Sequence, residues 1–466
     1  MTHTAAKKHR NLTEGPILPK ILMFTLPLIL TSILQHLFNT ADTIVVGRWG
    51  GSTPEECETA LAAVGSCGSL ISLFVNFFMG FSIGAGICAA HDIGAKLYED
   101  VRKTVHTSII VALVSGTLIS MVGICFAEQM LVLMDTEEEV LKEAVPYIIA
   151  YFCGMPANML YNYCAAILRS DGDTTHPLVF LSISGVANVL LNLVMVLVFH
   201  AGALGVGVAT ASSHWISCIL IFIYMMRMEG PCKIELKLIR IHRDKMYRMI
   251  AIGLPAGIQS MLFSISNILI QSSINSLGKA VVAGNTAAGN LETYVYATQH
   301  SLQQAAMTFV SQHMGAKKYE RLKKCVVLIL ATTLFFGIVF GWAIYLLGAP
   351  LLGLYIPDNP VALEAGMRRL AITCTTYFIL GIMEIGSGVL RGMGKSVQPT
   401  VITVIGTCVL RIVWIYTVFP LFRTNSVLYY SYPISWFLTG AVQWILAIVL
   451  IRRLLRKASP APITAS

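Results

Sequence analysis

Apolar runs long enough to cross a bilayer as helices, about twenty residues each, recur from one end of this 466-residue chain to the other. They fall near residues 17–46, 60–90, 104–126, 145–168, 177–199, 204–226, 249–277, 282–313, 325–347, 366–390, 399–420 and 429–451. Twelve such runs exclude an ordinary soluble fold. Only 12% of the residues are charged and 56% are hydrophobic, whereas a soluble domain carries about a quarter charged residues. The expected fold is an all-α integral membrane protein.

The loops orient it. The formal charge of +9 invites a nucleic-acid reading, but the 33 Lys and Arg residues are confined almost wholly to loops. Insertion retains basic loops in the cytoplasm. Sorted on this map, 26 lie inside, six lie outside (Arg48, Lys142, Lys279, Arg368, Arg369 and Arg423), and Arg411 lies within the eleventh span. An even number of spans then puts both termini in the cytoplasm, in an inner (plasma) membrane. The eleven cysteines are scattered singly without a C-x-x-C pair, so neither a disulfide nor a metal is expected. The basic N-terminus precedes a run that is too long for a cleaved leader and has no small-residue cleavage site.

The strongest charge run, Arg227 to Arg248, separates two halves of similar length. The expected division is an N-terminal six-helix lobe (1–226), a basic cytoplasmic linker (227–248) and a C-terminal six-helix lobe (249–466). The halves repeat each other. An offset of 228 pairs Leu26-Pro27 with Leu254-Pro255, Asn39 with Asn267 and Gly50 with Gly278. An offset of 221 pairs Gly94-Ala95-Lys96 with Gly315-Ala316-Lys317, and 222 pairs Arg169, Gly172 and Pro177 with Arg391, Gly394 and Pro399. Because six spans separate the copies, both enter from the same side. This predicts two pseudo-symmetric bundles about an axis along the membrane normal, an arrangement in which transporters bind substrate in a cleft between the bundles.

Charges inside spans are expensive and normally face a protein interior or a wet cavity. Three acids lie well within spans: Asp42, Glu292 and Glu384. At 100° per residue Thr31, Gln35, Asn39 and Asp42 share one narrow face of the first helix, and Asn188 and Asn192 lie one turn apart in the fifth. Asp42 and Asn39, on that face, are candidate ion-coupling residues. Gln35, Asn158, Asn267, Gln271, Glu292, Glu384 and Arg411 are the candidates for a substrate cleft. Arg411 needs a counter-charge, and Glu292 or Glu384 is the expected partner. No phosphate-binding loop, nucleophile and base pair, or His/Cys cluster is present, so no ATP, cofactor or enzymatic activity is implied.

With these residues the chain resembles the MATE family, multidrug and toxic compound extrusion, within the flippase-like superfamily. The resemblance rests on Leu26-Pro27, Gln35, Phe38-Asn39, Asp42-Thr43 and Gly47 in the first span and Gly94-Ala95 after the second. Leu168-Arg169 with Gly172 and Pro177 continues it, as does Leu390-Arg391-Gly392 with Gly394 and Pro399. It implies a monomeric antiporter that expels organic, often cationic, compounds in exchange for H⁺ or Na⁺, with no other cofactor and no nucleic-acid partner. In many bacterial members an aspartate at the position of Asp42 couples the ion. In archaeal-type members an asparagine and an aspartate of the fifth helix join the same cluster, so the resemblance adds Asn188 and Asn192 to Asp42 and Asn39 as the ion-coupling group, with the second carboxylate missing here. The alternatives are a flippase for a lipid-linked glycan precursor, which would call for several cleft arginines, and a membrane receptor or enzyme.

Overall fold

The structure, a computed structural model, describes residues 12–134, 136–356 and 359–458. Among the described residues twelve long helical segments can be followed. They are α1 (Ile17–Trp49), α2 (Pro54–Gly94), α3 (Tyr98–Cys125), α4 (Glu138–Cys153 and Met155–Ser170), α5 (Thr175–Val198) and α6 (Gly202–Arg227), followed by α7 (Arg243–Asn275), α8 (Lys279–Gly315), α9 (Tyr319–Leu346), α10 (Pro360–Gly392), α11 (Val397–Phe422) and α12 (Asn425–Lys457).

Ten of these helices are long and apolar enough to cross a membrane on that criterion alone. The other two, α4 and α8, fail it for different reasons. In place of one continuous helix, α4 breaks at Gly154, where Met155 and Pro156 begin a new segment, because proline supplies no N–H to the preceding turn. α8 is continuous but carries Asn285, Asn290, Glu292, Gln299, Gln303 and Gln304.

Several helices start earlier than apolar periodicity suggests. The segment 51–59, outside the apolar run, is helical from Pro54, with Cys57 buried inside α2. Glu56 N–H donates to Thr53 Oγ1 at 3.2 Å and Thr53 N–H to Glu56 Oε2 at 3.4 Å, a reciprocal capping box that stabilises a polar helix start. α10 likewise begins at Pro360, capped by Asn359, whose side chain accepts from Ala362 N–H at 3.0 Å. That start is earlier than the expected residue 366, so Arg368 and Arg369, sorted as external in the sequence, lie about two turns inside the helix.

The chain forms two compact units. The first holds Leu26–Ile93 and Leu97–Gly257, with a core of Val45, Ile119, Ile148, Phe152, Met155 and Val206. In it α2 and α7 meet backbone to backbone: Gly80 and Gly84 face Gly253 and Gly257, and a methyl on any of the four would collide with the opposing main chain. Small residues four apart on both partners permit this approach. Part of the basic linker is also tied down here. Lys245 Nζ donates to Asp92 Oδ2 at 2.9 Å, Arg248 to Asp92 Oδ1 at 3.3 Å, and Arg102 pairs with Glu235.

The second unit holds Leu12–Thr25, Gly94–Lys96 and the residues from Ile258 onward, with Leu291, Leu370, Leu380, Met383 and Trp436 in its core.

The repeat is visible in the backbone. α3 and α9 are both 28 residues long and start 221 residues apart. Before each stands a lysine in the left-handed region, Lys96 at φ 60° and Lys317 at φ 54°. Leu97 N–H reaches Asp92 O at 2.9 Å and Lys318 N–H reaches His313 O at 3.1 Å, the six-to-one bond that closes a helix C-terminus. The Arg169 and Arg391 loops do the same with glycine. Gly172 (φ 86°) and Gly394 (φ 78°) allow Asp173 N–H to bond Leu168 O and Lys395 N–H to bond Leu390 O. The repeated Leu-Arg-x-x-Gly element is therefore a helix stop.

Candidate ion-binding site

Three helices of the first unit assemble the site. α1 brings Asp42, α5 brings Asn188 and Asn192 one turn apart, and α6 brings Thr210. Asn192 Nδ2 donates to Asp42 Oδ1. The same amide lies 3.5 Å from Asn188 Oδ1, and Asn188 Nδ2 donates to Thr210 Oγ1 at 3.4 Å. Thr210 also stands beside the Asp42 carboxyl. Asn192 is wholly buried, yet its Oδ1 has no hydrogen-bond partner. A buried amide oxygen left without a donor costs about 1–3 kcal/mol, and this one belongs to the side chain whose Nδ2 donates to Asp42. The groups bearing on Asp42 are Thr210 and Asn192; among the described residues no basic side chain pairs with it.

The register of α1 on α5 depends on Phe38 and Gly185. Phe38 lies one turn before Asp42, and Gly185 lies one turn before Asn188. A methyl on Gly185 would overlap the Phe38 ring. We expect Gly185→Leu to push α1 off α5, costing about 1–3 kcal/mol by overpacking, and to lower coupled transport by separating Asp42 from Asn192. Adding Phe38→Ala should recover part of both losses. Transport and thermal unfolding of the purified single and double variants check this; full activity in Gly185→Leu would refute it.

Not all of the polar α1 face converges here. Thr31 Oγ1 donates to its own backbone at Pro27 O at 2.7 Å, while Gln35 and Asn39 are exposed. A second polar group in the same unit lies between α4 and α6. Asn158 is within 3.1 Å of His214 Nε2 and accepts from Asn162 Nδ2 at 2.7 Å. Tyr151, whose ring lies 5.8 Å from that of His214, also stands near Asp42.

In the second unit the acids have other partners than the ones expected. Glu292 does not reach Arg411. It is held by Arg369, Nε to Oε1 at 2.8 Å and Nη2 to Oε2 at 2.7 Å, and Thr373 also donates to it. Arg369 Nη1 donates to Asn285 Oδ1, and Asn285 Nδ2 donates to Gln271 Oε1 at 3.2 Å. Gln271 is thus joined to a continuous network, whereas Asn267 is exposed. Glu384 is buried beside Gln303 and Arg391, and Arg391 donates to Gln259 Oε1 at 2.7 Å. Arg411 is buried with neither acid; its Nε donates to Ser435 Oγ at 3.0 Å.

Four residues of these networks do not stand out in the sequence. The Asn-Pro start of α10 is the available signal for Arg369 and Thr373. Thr210 and His214, one turn apart in α6 beside Ser212, Ser213 and Ser217, carry none beyond their polarity.

A repeated pair of six-helix bundles with polar groups gathered inside them is the architecture of multi-pass membrane transporters. The MatE family profile matches residues 27–194 and 255–417, once in each repeat. The chain belongs to the MATE family.

Among curated proteins it is similar to the probable multidrug resistance protein YoeA of Bacillus subtilis, with 28% identity over 82% of either chain. It is also similar to the probable multidrug resistance protein NorM of Thermotoga maritima, with 23% identity over 88% of either chain. Among solved structures, an outward-facing multidrug resistance MATE family transporter superposes with a TM-score of 0.89 at 19% identity, covering 97% of this chain and 99% of the other. A transporter of the same superfamily from Pyrococcus furiosus does so with the same score, identity and coverage.

Proposed function

We propose that this chain is a secondary active efflux transporter of the plasma membrane, exchanging organic cations for H⁺ or Na⁺, with Asp42 as the coupling group. The observation that carries this reading is the cluster itself: a carboxylate without a basic partner among the described residues, beside a buried amide oxygen that no donor satisfies. Either ion suits it. A proton adds to the carboxylate, and a hard cation such as Na⁺ is held by oxygen ligands of the kind Asp42, Asn188, Asn192 and Thr210 present. Exchange follows when the coupling ion and a cationic substrate draw on the same negative charge, so that binding one favours release of the other. The relatives named as multidrug resistance proteins support a substrate range of small organic compounds.

The test is transport in proteoliposomes holding a fluorescent organic cation, with a proton gradient and a sodium gradient imposed separately. One of the two should drive movement of the cation against its own gradient. If neither does, the reading is wrong.

A further inference from the structure

Three arginines lie inside the second unit, and two of them have a carboxylate beside them. Arg369 is saturated by Glu292, and Arg391 stands next to Glu384. Arg411 has neither acid. It is 1% exposed and donates through Nε to Ser435, while its Nη2 is buried without any acceptor. The titratable groups that bear on it are Tyr432, Cys408 and Tyr377, and no carboxylate is among them. Its guanidinium lies 4.4 Å from the ring centroid of Tyr432, 5.5 Å from that of Phe263 and 6.0 Å from that of Trp436. These faces attract a cation, but they do not neutralise it, and a buried unpaired charge is strongly unfavourable.

Trp436 adds an independent observation. Its indole N–H, on one of the rings that surround Arg411, is also buried without an acceptor. Indole and guanidinium donate and never accept. Two neighbouring donor-only groups without acceptors describe a place for a ligand that only accepts. α11 is also irregular at this point: a π-helical stretch, Val404–Val409, ends two residues before Arg411, and such stretches recur at functional sites.

We infer that Arg411 and Trp436 form a binding site for one monovalent anionic group between α11 and α12. Its chemistry is shared by an inorganic anion such as chloride and by the carboxylate of an organic substrate. The site serves an anion, so it goes beyond the cation exchange proposed for Asp42 and does not rest on it.

The test uses the purified full-length protein in detergent, with thermal unfolding followed at constant sodium and ionic strength. Gluconate, a large and strongly hydrated polyhydroxy anion, serves as the reference. Sodium chloride and sodium benzoate are titrated against it. Saturable stabilisation by chloride identifies an inorganic anion, and saturable stabilisation by benzoate alone identifies an organic carboxylate. Either must vanish in Arg411→Met and weaken about tenfold in Trp436→Phe, which keeps an aromatic ring and removes the donor.

Arg411→Met should be at least as stable as the parent in gluconate, because it deletes an uncompensated buried charge. If Arg411→Met does not fold, Trp436→Phe alone decides through its weakened response. No stabilisation by either anion, or an unchanged response in the variants, would overturn the assignment.

Discussion

Asp42→Asn is expected to abolish gradient-driven transport, bringing accumulation of the organic cation down to the level of protein-free vesicles. The substitution is nearly isosteric. The new amide oxygen can still accept from Asn192 Nδ2, as Asp42 Oδ1 does, so the α1–α5 contact survives and the thermal midpoint should stay close to that of the parent. What disappears is the charge, and with it the ability to take up a proton or to hold a cation. A ligand shifts a conformational equilibrium only through its differential affinity for the two states. Once the ion has no affinity for this group, its gradient no longer biases the cycle through it. Asp42→Glu keeps the charge but displaces it by one methylene from Asn192, so it should retain part of the activity. Undiminished accumulation in Asp42→Asn, measured alongside a normal unfolding curve, would remove this carboxylate from the mechanism.

Asp42 stands out in the sequence because of the hydrocarbon around its helix. A bilayer makes charge so costly that an acid inside a span normally faces a protein interior or a wet cavity. The same cost makes the twelve spans legible, and the offsets of 221, 222 and 228 disclose the repeat. The helix stops after Leu168 and Leu390, with left-handed Gly172 and Gly394, explain why that element is written twice.

Partnership is what a single sequence hides. Apolar periodicity locates the greasy part of a helix and ignores its polar ends, so α2 and α10 begin about two turns before the expected starts. At α10 this matters most. With Arg369 counted among the external residues, Arg411 stands as the one buried cation, and Glu292 or Glu384 is assigned to it by elimination. The Asn359-Pro360 cap places Arg369 two turns inside the helix, facing Glu292. Distances across helices are also invisible in one sequence. Gln35 and Asn39 share a helix face with Asp42, yet they are exposed while Asp42 meets Asn192. The partner is 150 residues away and no spacing announces it.

Glu292→Gln is expected to give the largest loss of stability of any single substitution in the second unit. The parent carboxylate takes two parallel bonds from Arg369 and one from Thr373, with both charged side chains largely buried. An amide can accept on one oxygen only, and its NH₂ group then faces a guanidinium that also only donates. Removing one partner of such a pair costs about 3–5 kcal/mol, most of it from the charge left behind. The damage should spread to Asn285 and Gln271, which Arg369 ties to the pair. Arg369→Met added to Glu292→Gln deletes the stranded charge, so the double variant should unfold at a higher temperature than Glu292→Gln alone. Transport then separates two roles for this acid. Recovery of both stability and accumulation in the double variant makes Glu292 the structural counter-ion of Arg369. Recovery of stability with accumulation still lost would make Glu292 a group that the transported ion or substrate must touch, and would overturn the structural assignment.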